Sequence, residues 1–188
     1  QPFKDSTDKA PVKTPPLHQH CRCLIVSFIE EVEYELPTTV ERPQGVPDTP
    51  LQRELEEEYS KLTKSELTNK IKAHLGDVWA RPPAEPTEKN IRNFLGKYLE
   101  KHFEDHHKEV GVKTIEEYKN MAYNVIRNPD KVYVERNSGG TYYMFFKGDL
   151  MVSTSDDNMA ITSFYRIKEE EWIKRRVQTF NSAILRIL

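Results

Sequence analysis

VYVERNSGGTYYMFFKGDLMVSTSDDNMAITSFYRI, residues 132–167, is the stretch that decides the fold class. Val132–Arg136 alternates only weakly between apolar and polar residues. Thr141–Phe146 is aromatic and β-prone, Leu150–Thr154 pairs back on it, and Met159–Ile167 supplies a last strand. Asn137-Ser138-Gly139-Gly140, Lys147-Gly148-Asp149 and Ser155–Asn158 are turns; the first offers glycines that accept positive φ. Strands recurring about every ten residues between short turns predict an antiparallel meander.

Upstream of the meander the period changes to helical. Leu51–Tyr59 and Ser65–Leu75 carry helical patterning, with Leu67, Ile71 and Leu75 at four-residue spacing. Arg81–Pro86 breaks the pattern, and Thr87 reads as the N-cap of a long helix running to about Val110. Its stripe is Ile91, Phe94, Leu95, Tyr98, Leu99, His102 and Phe103, and Gly111 is its expected C-cap. Thr114 with Glu117 is a capping box for a further helix, stopped by Asn128-Pro129. The tail, Lys168–Leu188, reads as one closing helix carrying Lys174, Arg175 and Arg176. Helices followed by strands, then a C-terminal helix, predict an α+β domain.

Residues 36–50, with four prolines and a glycine, read as a linker and a domain boundary. The chain then divides into 1–35, the linker, and a domain over 51–188. A net charge of −2 argues against a large nucleic-acid-coating surface but leaves room for a small local site. No apolar run approaches the roughly 20 residues a membrane span requires, and no signal peptide is evident. The chain opens on Gln1, which reads as a fragment or a processed product. Cys21 and Cys23 are too close to bridge readily; with His18 and His20 they form either a surface loop or part of a zinc site.

Three of the six histidines, His102, His106 and His107, fall within six residues. His102 and His106 share a helical face one turn apart, and Lys101 stands beside them. Two imidazoles near a flexible cation suit proton movement around a phosphate. An i, i+4 pair of histidines also binds zinc in some helices, but no HExxH glutamate accompanies this one.

Two resemblances attach to these residues. Pro15-Pro16-Leu17-His18 through Cys21-Arg22-Cys23 and Leu24–Phe28 resembles the closing motif of phage Mu F-like head morphogenesis (minor capsid) proteins. Over about residues 90–168 the chain resembles the barnase–EndoU–colicin–RelE-like toxin nucleases. The residues that carry this likeness are Lys101, His102, Phe103, His106, Glu109, Gly111, Thr114, Glu116, Glu117 and Tyr118, then Ile161, Ser163, Phe164 and Tyr165. Asp105 and His107 stand where such toxins often have Lys and Gly. Toxin domains of this kind occur behind Mu F-like head proteins, so the two likenesses support each other.

The second resemblance implies a metal-independent, cofactor-free endoribonuclease toxin, with tRNA among its candidate substrates. His106 would transfer protons, with His102 as partner or orienter. Lys101 would be the electrostatic clamp, and Ser163, or Thr162 in the other register, would hold a phosphate oxygen. Arg136, Lys147 and Arg166 would contact RNA, and Tyr165 would stack on a base. Implied partners are RNA, a cognate immunity protein and phage capsid or portal proteins, with no membrane. The implied location is the phage head or the host cytoplasm after delivery. Two other function classes fit the sequence. One is a structural head or ejection protein binding capsid, portal or DNA. The other is an ADP-ribosyltransferase effector, for which Ser153-Thr154-Ser155 is present without a following Glu-x-Glu.

Overall fold

A computed structural model describes residues 40–74, 97–157 and 160–188. The Cys/His cluster at 18–23, the strand expected at Leu24–Phe28 and the helix start at Thr87 lie outside the described residues. Helix α1 spans Pro50–Ser60; Thr49 caps it by accepting from the Gln52 N–H, and Pro50 occupies the first turn, where no donor is needed. Helix α2 spans Lys64–Ala73. It starts one residue before the expected Ser65, because Thr63 and Glu66 form a reciprocal capping box. Helix α3, Lys97–Val110, ends at Gly111, whose φ of 87° suits glycine and whose N–H donates to the His107 carbonyl. Helix α4, Ile115–Arg127, opens on the Thr114–Glu117 box anticipated from the sequence.

The meander follows as β1 (Lys131–Asn137), β2 (Gly140–Lys147), β3 (Leu150–Ser155) and β4 (Ile161–Arg166), each antiparallel to its neighbour. The fold is α+β, as expected, but the tail is not one helix. Helix α5 covers Glu169–Phe180 and stops at Asn181, which takes the left-handed conformation (φ 49°). Residues Ala183–Arg186 then form β5, antiparallel to β1, giving the order β4-β3-β2-β1-β5. Asparagine tolerates that conformation better than most residues, so it works here as the helix stop.

Both faces of the sheet are covered. Val134, Phe145, Val152 and Phe164 face a core with Leu55, Ile71, Tyr118 and Ile126 from the first helix layer. Tyr133, Met144, Phe146 and Met151 face a second core with Trp172 and Ile173 of α5. The strand centres are therefore buried on both sides, which is why Val132–Val134, Tyr142–Phe146 and Leu150–Val152 are unbroken apolar or aromatic runs.

The outer edge of β5 is closed by side chain and by chain. Gln52 is fully buried; its amide nitrogen donates to the Ile184 carbonyl (2.9 Å) and its carbonyl oxygen accepts the Ile184 N–H (2.8 Å). Glu41 exchanges both backbone hydrogen bonds with Arg186 in a single bridge. Val46 is buried in the second core, and Arg42 pairs with Asp48 and Glu56. The described part of the proline-rich stretch expected as linker thus lies against the domain.

His74, the C-terminal cap of α2, is buried against the Tyr143 ring (centroids 4.1 Å), with Nδ1 2.9 Å from Thr154 Oγ1. Burial, reinforced by Lys70, pushes its pKa down to about 4. Asp156 lies 3.8 Å from Nε2 but is partly solvated, too distant to offset burial. The unfolded chain therefore takes up this proton first as pH falls below about 6.5. Stability from this site is complete above that pH and declines towards pH 4, by roughly 3 kcal/mol in all. Urea unfolding across pH 4–7 should show this loss in the wild type and a flatter profile in His74→Gln. Equal slopes would place the acid sensitivity elsewhere.

Candidate active site

Helix α3 lies along the free edge of β4, and side chains from α3 and α4 take the edge's backbone groups in turn. His102 bonds to the backbone of Thr162. The Tyr118 hydroxyl donates to the Phe164 carbonyl. The Arg166 N–H donates to Glu109 Oε1 (3.4 Å). Phe103 packs edge-on against Tyr118, which in turn packs on Phe164. Phe103 and Tyr118 thus hold the helix pair against the strand, while Thr114 and Glu117 cap the start of α4.

This docking brings the two histidines together at β4. Their rings stack with centroids 5.6 Å apart, and His106 stacks in turn on Tyr165 at 5.4 Å. His106 is half-buried, and its Nδ1 lies 2.7 Å from Glu109 Oε1. With Nδ1–H donating to that carboxylate, Nε2 carries the lone pair, the arrangement a general base requires. His102 is also half-buried; burial, with His106 next in effect, holds its pKa below the usual histidine value. A neutral His102 bonded to the strand is suited to orienting its neighbour. His107 faces elsewhere: its Nδ1–H donates to the Phe103 carbonyl, and its ring stacks on that of Phe103. Among the described residues no group of three or more His, Cys, Asp or Glu is arranged to hold a metal ion.

The question of Thr162 against Ser163 has an unexpected answer. Strict alternation would send them to opposite faces. A register shift pairs Ser153 with Ser163 and Thr154 with Ile161, leaving Thr162 as a bulge residue. Both hydroxyl residues therefore line one depression of about 200 Å³, together with Ser153, Tyr165, Trp172 and Arg176. Thr162 Oγ1 donates to the Ser153 carbonyl and lies 2.9 Å from Ser153 Oγ.

The cations expected at the site are placed apart from this depression. Lys101 is exposed and pairs with Asp105 at 3.0 Å on its own helix. Arg136 pairs with Glu58 of α1 and donates to Thr141. Lys147 donates to the Asn128 carbonyl. Arg166 pairs with Asp149 and donates to the Glu109 carbonyl. Of the expected RNA contacts, Tyr165 alone lines the depression, and the cation there is Arg176. Glu109 and Arg176 are the residues that sequence reasoning did not assign to the site. Glu109 was legible as the i+3 partner of His106. Arg176 stood among the basic residues of the tail with no sign of what it faces. No family model matches the chain, and no curated protein or solved structure matches it.

Proposed function

We propose that the domain is an endoribonuclease of the toxin type, carried on a phage minor head protein, with RNA as substrate. The observation that carries the reading is the His102–His106–Tyr165 stack laid on β4 beside the Ser163 depression, with Glu109 behind His106. His106 Nε2 takes the proton from a ribose 2′-OH. The 2′ oxygen bonds to the adjacent phosphorus, and the bond from phosphorus to the 5′ oxygen breaks. That leaving oxygen takes up a proton from solvent water, so the products are a 2′,3′-cyclic phosphate and a 5′-OH. The Ser163 hydroxyl holds a non-bridging oxygen, and Tyr165 offers a face for a base. His102 keeps the His106 ring in place. A cognate immunity protein would cover this edge.

The test is incubation of the protein with total RNA and with tRNA in EDTA. The expected result is discrete fragments ending in a cyclic phosphate. Intact RNA at micromolar protein would overturn the reading, and a positive NAD-hydrolysis assay would favour a transferase in its place.

A further inference from the structure

We infer that the depression on the α5 side of the sheet is the phosphate subsite of this domain and that Arg176 is its anion ligand. The inference rests on the ribonuclease reading for its substrate but on separate observations for its chemistry. Three depressions are described on the domain, and the larger two carry acids. One, of about 570 Å³ beside α5, is lined by Glu41, Glu169 and Glu170 together with Arg42, Lys174 and Arg186. The other, of about 450 Å³ beside α2, is lined by Glu66 and Asp156 together with Lys70 and His74. The smallest has no carboxylate in its lining; it presents the Arg176 guanidinium and the hydroxyl residues Ser153, Thr162 and Ser163. Thr162 gives its proton to Ser153, so the donors offered are the guanidinium and the Ser153 and Ser163 hydroxyls, a set suited to a phosphate and a poor one for a cation. The absence of a carboxylate from the lining, not size, selects the pocket.

The guanidinium is held for the task. Its Nε and Nη2 both lie 2.7 Å from Glu135 Oε1, and its Cζ sits 4.2 Å above the Phe180 ring. Glu135 is fully buried, and its Oε1 also accepts from Ser182 and Asn137. A guanidinium has five donors in a planar fork, so two committed to Glu135 fix the plane and leave the rest for a ligand. Arg176 stays partly exposed, as a ligand-facing group must. Glu135 is thus a positioning residue, and Tyr165 joins this pocket to His106 because it lines the one and stacks on the other.

The test uses the full chain in EDTA. Inorganic phosphate is titrated into ¹⁵N-labelled protein and followed at the Ser153 and Ser163 amides, and tRNA cleavage is measured in parallel. The variants are Arg176→Lys, which keeps the charge without the fork, and Arg176→Gln with Glu135→Gln, which leaves no unpaired buried charge. Wild type should show saturable shifts that both variants lose, and the double variant should lose about 100-fold or more in cleavage rate. Variants that keep the phosphate response, or that cleave at the wild-type rate, overturn the inference while leaving the ribonuclease reading intact. Arg176-dependent phosphate binding by a wild type that leaves RNA whole would uphold the subsite and remove the ribonuclease.

Discussion

Replacing His106 by Ala is expected to lower RNA cleavage by about 100- to 10,000-fold, the range over which a positioned acid–base group acts. The side chain lies between the His102 and Tyr165 rings and bonds to Glu109. It is half-buried at the margin of the sheet and absent from both apolar cores, so its loss should barely move the thermal midpoint. Glu109→Leu removes the acceptor that sets the tautomer and should fall between wild type and His106→Ala. Initial rates on tRNA, with circular dichroism as the folding control, decide the matter. A His106→Ala protein that is folded and fully active would exclude the imidazole from the chemistry.

Gln52→Leu is expected to cost about 2–6 kcal/mol of folding free energy, because it orphans two buried backbone groups at about 1–3 kcal/mol each. Those groups are the N–H and C=O of Ile184, at the centre of β5. Against a typical domain stability of about 5–15 kcal/mol, this is enough to unfold a marginal protein. Gln52→Glu keeps an acceptor for the N–H and loses the donor to the carbonyl, so it should be damaging at neutral pH too. Urea denaturation midpoints provide the comparison. A Gln52→Leu variant as stable as wild type would show that leucine packing or water replaces the lost bonds.

Local grammar explains which parts of the fold were readable. The Thr114–Glu117 box, Gly111 and the glycine-bearing turns each act within a few residues, and each fell where expected. β5 was hidden because four strand residues follow a true helix, and the break depends on Asn181 rather than on glycine or proline. The site divides along the same line. The histidine pair was legible from helical spacing. The bulge that lets Thr162 and Ser163 share a face is a register event between two strands, with no mark in either sequence. The fates of Arg136, Lys147 and Arg166 were equally invisible. Each is neutralised or bonded by a residue at least five positions away, most of them far along the chain.

The bridge between Glu41 and Arg186 joins the incoming chain to the rim of the sheet by one pair of residues. A pull transmitted from the preceding segment loads that pair before anything deeper. The Arg42 ion pairs come next, and then α1 with the Gln52 clasp. These fastenings bear force one after another and do not share it. Traction from this end therefore peels the domain open, where the same force applied across the central strands would have to shear them together.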